Sequence, residues 1–392
     1  MTVDAFPLQS DHIVSSKLCD PKVKQYSGYL NIAPNANMFF WFFESRKNPK
    51  NSPLTIWLSG GPGYSSMFAL FQEVGPCKID KYINKSRLSV NSWNKVTNLL
   101  FIDQPIGAGF SYGARMILYK VPKYASLDLH LFSESYGGHY VPVMAKLIIQ
   151  NNGIIKTGKL KDLIPINLKS CGIGDKPLLS PQLIEEMRDK WPLCKHDIEE
   201  CYKTDTIHDC VVANITCLDD YSGIYAQNSN NSNASLYDIR TINGRPDAIY
   251  AKFLDDPFVM KSIGVNTNEI TSYLEINNDI YNRFTDSGDL MHSMMSQVEF
   301  LLHNNIPILF FTGDADYICN WMGGNEMAES LKWKRQHEFK NAVFREWNVG
   351  EVKADEIRKL SDFYEDPEEP IIVGHDGGGI VESIGQFNQE IS

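Results

Sequence analysis

Short apolar runs alternate along the chain with stretches in which apolar residues recur at helical spacing. The pattern predicts two strands in YSGYLNIAPNANMFFWFF (26–43), separated by a Pro-Asn-Ala-Asn turn. Helical spacing occurs in SSMFALFQEVG (65–75) and VPVMAKLII (141–149). Further strands are predicted at LTIWL (54–58), NLLFID (98–103), LDLHLF (127–132), LIPINLKSCGIG (163–174), PILFF (307–311) and PIIV (370–373). This alternation predicts an α/β fold with a mostly parallel central sheet and helices on both faces.

The pattern changes between residues 178 and 300. This part of the chain contains a cysteine cluster, charged stretches of helical spacing and the polar tract NSNNSNAS (228–235), which is typical of an exposed loop. We interpret 178–300 as a cap region inserted between two parts of one core, residues 1–177 and residues 301–392. No internal repeat is evident.

The composition is that of an ordinary globular protein, with 392 residues, 43% hydrophobic and 22% charged. A formal net charge of -11 argues against nucleic-acid binding and against attraction to an anionic membrane surface. No apolar run approaches the roughly 18 residues that a membrane span needs. The first residues lack the basic and apolar segments of a signal peptide, so the protein is either cytosolic or its sequence begins near a mature or misassigned start. Nothing in the sequence predicts an oligomeric state, a cofactor or a metal ion.

The cysteines favour an oxidising compartment. Four of the eight are separated by six, eight and six residues, a symmetric spacing that suits a nested pair of disulfides better than a zinc site, because no Cys-x-x-Cys pair occurs. Four N-x-S/T sequons are consistent with a glycosylating compartment. The clustered cysteines are Cys194, Cys201, Cys210 and Cys217, and the sequons begin at Asn84, Asn214, Asn230 and Asn233.

Ser135 is the candidate nucleophile. It stands in FSESYGGHY between a predicted strand and a predicted helix, the context in which a sharp turn exposes a Ser hydroxyl above a sheet. The G-x-S-x-G form of this turn would have Gly at position 133, where this chain has Ser133. The alternative is that Ser135 only caps the helix.

A glycine-rich loop follows the strand 54–58. Its sequence, SGGPG (59–63), leaves bare backbone where another group has to approach closely. A strand, a glycine turn and a helix also occur in phosphate-binding loops, but the Gly-Lys-Ser/Thr of those loops is missing. An oxyanion-hole loop fits better.

A Ser nucleophile needs a base and a carboxylate that orients the base, and in the α/β-hydrolase arrangement they follow in the order Ser, acid, His. Asp314 and Asp316 both follow the strand 307–311, and spacing alone does not separate them from each other or from turn-forming residues. Of the later histidines, His337 lies in a basic, solvated stretch. His375 follows a strand and a Gly, as expected for a base on a loop, although a loop His without a catalytic role is the alternative.

The chain resembles the serine carboxypeptidases over most of its length. The motifs that carry the resemblance are YSGYL with FFWFFESR, WLSGGPGYSS, LLFIDQPIGAGFSYG, SESYGGHYVP and PILFFTGDADYICNW. The resemblance implies an α/β-hydrolase fold and a peptidase that removes C-terminal residues through an acyl-enzyme. It assigns Ser135 as nucleophile, Asp316 as the orienting acid, His375 as the base, and the N–H groups of Gly61 and Tyr136 as the oxyanion hole.

The resemblance also implies a site for the terminal carboxylate of the peptide, formed by Trp57, Ser59, the Gly60 backbone and Glu134, with Cys319 as a free thiol lining the pocket. Because two adjacent carboxylates resist joint ionisation, a Glu beside a substrate carboxylate predicts binding that is strongest at acidic pH. We therefore expect peptide or protein C-termini as substrates, and a vacuole or the lumen of the secretory pathway as the location. The implied disulfides are Cys194–Cys217 and Cys201–Cys210.

The chain departs from the family pattern at several positions. Ser59 replaces an Asn, Tyr64 replaces a disulfide Cys whose partner region near Ile276 also lacks Cys, and the stretch 114–126 is short. The family's Gly-His-Met-Val-Pro context is replaced by GHDGGG around His375, so that Asp376 stands where a pocket Met is usual. Two alternatives therefore remain: a catalytically silent relative that binds peptides or a partner, and another reaction on the same scaffold, such as acyl transfer or cyanohydrin cleavage.

Overall fold

The structure is a computed structural model, and it describes residues 13–33, 35–80, 82, 84–113, 127–158, 164–174, 181–219, 248–313, 321–349, 352–359 and 371–372. Its strands are β1 (Gln25–Ala33), β2 (Ala36–Phe43), β3 (Leu54–Leu58), β4 (Cys77–Asp80), β5 (Lys85–Leu88), β6 (Asn98–Ile102), β7 (Tyr112–Gly113), β8 (Asp128–Glu134), β9 (Asn167–Gly174), β10 (Ile308–Phe311), β11 (Arg345–Val349), β12 (Val352–Lys359) and β13 (Ile371–Ile372).

The α-helices in the described part of the chain are α1 (Met67–Gln72), α2 (Gly137–Lys156), α3 (Pro181–Thr204), α4 (Ile207–Asn214), α5 (Ile249–Leu254), α6 (Pro257–Ser262), α7 (Asn278–Asp286), α8 (Met295–His303), α9 (Trp321–Ser330) and α10 (Gln336–Asn341). Single turns of 3₁₀-helix occur at Trp93–Lys95 and Asp289–Met291, and a π-turn occurs at Ile215–Asp219. None of the described helices combines the length and the apolar character that crossing a membrane requires.

An eight-stranded sheet organises the molecule. Seven strands follow the order β1-β2-β6-β3-β8-β9-β10, and β7 pairs with β2. Within this order, β6, β3, β8, β9 and β10 pair with one another in parallel. The pairs β1–β2, β2–β6 and β2–β7 are antiparallel. The predicted α/β fold with a mostly parallel sheet is confirmed.

The central strands are apolar throughout because both of their faces are covered. Along β6, Leu99 and Phe101 belong to one hydrophobic core, and Leu100 and Ile102 belong to the other. Helices α1, α5 and α6 pack into the first core, and α2, α8 and α9 pack into the second. The period-two alternation of a strand therefore places helices on both faces of the sheet, as predicted.

Part of the range predicted as an inserted cap contributes to the first core. Most apolar residues of α5 and two of α6 are buried there with Phe71 and Trp41. They are Tyr250, Phe253, Leu254, Val259 and Met260, together with Tyr273. Helices α3 and α4 instead form a separate small cluster around Cys201, Cys210 and Ala213. The boundaries 178–300 stay a prediction.

Two smaller sheets lie outside the main one. Strands β4 and β5 form a hairpin, and β11, β12 and β13 form a three-stranded antiparallel sheet. The strand predicted at 370–373 is thus present as β13, and its hydrogen-bonded partner is β12 rather than a strand of the main sheet.

Candidate active site

The turn between β8 and α2 holds Ser135 in an unusual backbone conformation. Its φ is +51°, in the left-handed region that non-glycine residues seldom adopt. Tyr136, not Ser135, occupies the N-cap position of α2, so the alternative role of Ser135 as a helix cap does not describe this turn. A strained Ser between a parallel strand and a helix is the geometry of a nucleophile elbow.

Gly137 explains how the elbow accommodates Ser133. A Cβ on Gly137 would lie 2.4 Å from the Cβ of Ser133, a distance at which two side chains cannot coexist. The elbow therefore carries its side chain at position 133 because position 137 has none. Ser133 is fully buried, and its hydroxyl has no hydrogen-bond partner within the described part of the chain.

The glycine loop after β3 lies directly against the elbow. A Cβ on Gly60 would be 2.6 Å from the Tyr136 nitrogen and 2.9 Å from the Ser135 Cβ, so only glycine permits this approach. Gly61, with φ +107°, follows in a conformation that L side chains rarely adopt. The first N–H groups of a helix have no intrahelical acceptor, and the loop brings its own backbone beside them. The two turns are therefore in contact, and the assignment of Gly61 and Tyr136 as the oxyanion hole stays a prediction.

Two side chains fix this loop: Ser66, just before α1, and Gln104, just after β6. The Ser59 N–H donates to Ser66 Oγ at 3.0 Å, and the Ser59 carbonyl accepts from Gln104 Nε2 at 2.8 Å. Ser66 Oγ in turn donates to the carbonyl of Ile102 at 2.6 Å. The loop is thereby tied to the end of β6 from two directions.

Asp103 lies at the centre of the supporting network. Its side chain is fully buried and accepts from Ser65 Oγ at 2.5 Å, from the Ser66 N–H at 3.0 Å and from the Phe110 N–H at 3.0 Å. Burial raises the pKa of Asp103 to about 6, and these hydrogen bonds offset part of that shift. The carboxyl group connects the loop after β3 to the loop after β6.

Glu134, which precedes Ser135, forms a carboxyl pair with Glu73 at the end of α1. Burial is the main cause that raises the pKa of each group, and the proximity of Glu134 raises the pKa of Glu73 further. The nearby Glu73 and Ser59 side chains lower the pKa of Glu134 and so offset part of the effect of burial. With both pKa values raised, the pair holds a proton more readily than two free carboxyl groups do. The sequence did not single out Glu73, because a Glu after an apolar helix is equally typical of a solvated surface.

Trp57 contributes a buried donor on β3, the strand that pairs with β8. It is 1% exposed and packs edge-on against Trp93, with ring centroids 5.4 Å apart. Its indole Nε1–H and the Oε2 of Glu73 have no hydrogen-bond partner within the described residues. Buried polar groups without partners are uncommon, and a buried donor of this kind is suited to a ligand carboxylate.

Four predicted site residues lie outside the described residues: Asp314, Asp316, Cys319 and His375. The described chain reaches Gly313, just after β10, which is two positions from β8 in the sheet and parallel to its neighbour β9. Open α/β sheets place their sites at the carboxyl ends of such strands. The assignments of acid, base and pocket thiol stay predictions.

Both disulfides implied for the cysteine cluster are present. Cys194–Cys217 and Cys201–Cys210 have Cα–Cα distances of 5.0 and 4.6 Å. A third disulfide, Cys19–Cys77, was not predicted, because its partners lie far apart in the sequence and no spacing rule connects them. Among the described cysteines, Cys171 is free and buried. His292 lies close to the sulfurs of Cys201 and Cys210, but sulfurs joined in a disulfide are not metal ligands.

The two described sequons differ in accessibility. Asn84 is exposed beside the β4–β5 hairpin, whereas Asn214 is 2% exposed at the end of α4. A glycan on Asn214 would have no path to solvent, so the prediction of glycosylation at this position does not fit the fold. Asn230 and Asn233 lie outside the described residues.

Comparison with known proteins shows the family of this chain. A family model described as serine carboxypeptidase matches residues 16–120 and 115–361. Carboxypeptidase S1 of Penicillium janthinellum is 33% identical over 394 residues, which cover 90% of this chain and 91% of that protein. Carboxypeptidase Y of Candida albicans is 34% identical over 377 residues, which cover 87% of this chain and 68% of that protein.

A solved structure agrees with the fold. Kex1(delta)p, described as a prohormone-processing carboxypeptidase from Saccharomyces cerevisiae, superposes with a TM-score of 0.70 over 98% of this chain and 97% of its own, at 20% identity. The chain therefore belongs to the serine carboxypeptidases, α/β hydrolases that cleave residues from the carboxyl ends of peptides.

Proposed function

We propose that Ser135 is the nucleophile of this serine carboxypeptidase and that the N–H groups of Gly61 and Tyr136 form its oxyanion hole. The observation that carries the proposal is the contact between the two turns: the Gly60 backbone lies against the Tyr136 nitrogen, directly beside a Ser with φ +51°. Two backbone donors beside a nucleophile stabilise the oxyanion of an acyl-transfer transition state, and each contributes on the order of 3 kcal/mol.

His375 acts as the general base and Asp316 orients it. The order Ser, acid, His along the chain and the position of residues 314–316 just after β10 support these assignments. His375 takes the proton of Ser135 Oγ as that oxygen bonds to the last peptide carbonyl carbon. It then gives the proton to the amine of the departing amino acid as the C–N bond breaks. Water, deprotonated by His375, hydrolyses the acyl-enzyme and restores Ser135.

The groups behind the glycine loop recognise the terminal carboxylate of the substrate. The Trp57 indole N–H, the Ser59 hydroxyl and the Gly60 backbone supply polar contacts, and the Glu73–Glu134 pair supplies the shared proton. The family resemblance supports Cys319 as a free thiol of the same site. Above the pKa of the pair a second negative charge appears beside the substrate carboxylate, so peptide binding is strongest at acidic pH.

An acidic lumen with oxidising chemistry suits this enzyme. Three disulfides and an exposed sequon at Asn84 are typical of the secretory pathway, and the carboxyl pair favours low pH. We place the protein in a vacuole or another lumen of the secretory pathway, where the C-termini of peptides and proteins are its substrates.

Labelling and turnover test the nucleophile together. A fluorophosphonate should modify Ser135, and a blocked dipeptide should release its last amino acid at roughly pH 5, where a shared proton is available. Ser135→Ala should abolish labelling and turnover, and Ser133→Ala, two residues earlier, should retain labelling and turnover. Folded wild-type protein that is neither labelled nor active would favour the silent relative, and a different product from the blocked dipeptide would identify another reaction.

A further inference from the structure

Tyr136 has a second set of contacts, made by its side chain, that the proposed mechanism does not use. Its ring is 7% exposed and stacks on His139 with a centroid distance of 4.2 Å, while Phe284 of α7 packs against its edge at 5.6 Å. The phenol O–H donates to Oδ2 of Asp289. Burial and the Asp289 carboxylate raise the pKa of Tyr136, so the phenol remains a neutral donor.

The backbone before Asp289 is fixed by the Cys201–Cys210 disulfide. Gly288, with φ +74°, is buried, and a Cβ on it would lie 2.7 Å from the Cβ of Cys210. The single 3₁₀ turn Asp289–Met291 follows at once, so its first residue has little freedom to move. Helices α3 and α4, joined by this disulfide and called the disulfide arm below, thereby determine the position of the Asp289 carboxylate. This carboxylate accepts the hydrogen bond from Tyr136.

A second contact joins the same arm to Asp289. His292 Nδ1 is 3.8 Å from Oδ1 of Asp289, and His292 Nε2 is 3.4 Å from Oδ1 of Asp205 in the turn between α3 and α4. The two oxygens of Asp289 thus face different partners: Oδ2 accepts from the elbow, and Oδ1 lies toward the arm. These contacts connect the disulfide arm, through Asp289, to Tyr136.

We propose that Asp289 is a positioning residue for the oxyanion hole, and that it acts by holding the side chain of Tyr136. The same residue supplies the buried phenol and the backbone N–H beside Ser135, so a shift of the ring displaces the donor. Displacements of about 1 Å in an active site cost up to a hundredfold in rate. Removal of the acceptor also leaves a buried hydroxyl without a partner, which favours such a shift. The inference rests on the proposed roles of Ser135 and Tyr136.

The test separates transition-state from ground-state binding. For Asp289→Ala we expect kcat to fall about 10- to 100-fold, and the KI of a blocked peptide aldehyde, which forms an oxyanion on Ser135, to rise by a similar factor. The KI of the free amino acid product should change by less than about twofold, because this product has no carbonyl group at the oxyanion hole. Asp289→Asn keeps an acceptor oxygen and should retain most of the activity.

Two further variants complete the design. Asp286→Ala removes an exposed carboxylate at the end of α7 and is the matched control. We expect its kcat and KI values to be unchanged. In a double-mutant cycle, the double variant Tyr136→Phe with Asp289→Ala should lose no more kcat than the more impaired single variant. Both changes remove the same hydrogen bond.

Three results would overturn the proposal: an unchanged kcat in Asp289→Ala, an equal loss of product affinity, or an Asp289→Asn enzyme as impaired as Asp289→Ala. Ser135→Ala tests the nucleophile independently. If the wild type shows no turnover, the rate at which a fluorophosphonate labels Ser135 replaces kcat, because phosphonylation also develops an oxyanion.

Discussion

The carboxyl groups of Glu73 and Glu134 are buried beside each other, and burial raises the pKa of both. Glu73 ends the helix that follows the glycine loop, and Glu134 ends the strand that leads to Ser135. The pair therefore joins the two turns that form the site. Because both pKa values are raised, the pair keeps a proton to a higher pH than a free Glu carboxyl group does, and it loses this proton as the pH rises further.

Glu73→Gln should make peptide binding less dependent on pH. The amide of Gln donates to Glu134 at every pH, so the second negative charge never forms. In the wild type the KM of a blocked dipeptide should rise from pH 5 to pH 7.5, and about a tenfold rise corresponds to one pKa unit of differential interaction. The variant should show a smaller rise over the same range.

The C-terminal amide of the same dipeptide is the control substrate. It has no carboxylate to be repelled, so its KM should follow pH to the same small extent in both enzymes. An identical pH dependence of the dipeptide KM in Glu73→Gln and wild type would contradict the role of the pair.

Gly60→Ala should abolish catalysis while the protein stays folded. The added Cβ would meet the Tyr136 nitrogen at 2.6 Å and force the glycine loop away from the elbow. Loss of one oxyanion donor costs about 10²- to 10³-fold in kcat. Steady-state kinetics and circular dichroism measure the two properties separately.

Gly153→Ala is the matched glycine control. Nothing lies within 4 Å of a Cβ at this position of α2, and Ala favours a helix over Gly. We expect unchanged kcat and a gain in the free energy of unfolding of up to about 1 kcal/mol. Wild-type kcat in Gly60→Ala would mean that the loop does not form the oxyanion hole.

The sequence predicted most of the sheet because its central strands are covered on both faces. LTIWL became β3 without a change of bounds, and PILFF became β10 with one residue fewer. A buried parallel strand needs apolar residues at every position, and this leaves an unmistakable run in the sequence. The elbow and the glycine loop were recognisable for a related reason, since close backbone approach requires glycine at fixed positions.

The residues that the sequence did not reveal act through long-range proximity. Glu73 and Asp289 stand in stretches that are typical of solvated surface, and only the fold brings them to Glu134 and Tyr136. The Cys19–Cys77 disulfide has the same origin. Burial of Asn214 likewise depends on how α4 packs, which a sequon does not encode.

Asp103 should make the protein more stable in acid than at neutral pH. Its pKa is 3.8 when unfolded and about 6 when folded, so the protonated form favours the fold. The contribution of Asp103 to the free energy of unfolding is fully present below pH 3.8 and is lost as the pH rises through about 6. The shift in its pKa corresponds to on the order of 3 kcal/mol. Denaturant unfolding at pH 4, 5 and 6.5 measures it.

Asp103→Asn removes this titration. The variant loses an acceptor for the Phe110 N–H, so it should be less stable than the wild type at pH 4, and the difference should shrink as the pH rises. A difference that is constant, or that grows toward neutral pH, would show that Asp103 is ionised throughout this range in the folded protein.

Glycosylation should distinguish Asn84 from Asn214. When the protein is expressed in a glycosylating host with Asn230→Gln and Asn233→Gln, endoglycosidase treatment should remove a single glycan. Asn84→Gln should abolish the mobility shift because Asn84 is exposed, and Asn214→Gln should leave it unchanged because Asn214 is 2% exposed. Peptide mass analysis locates the modified residue. A glycan found on Asn214 would require α4 to pack differently, since its attachment atom would have to reach solvent.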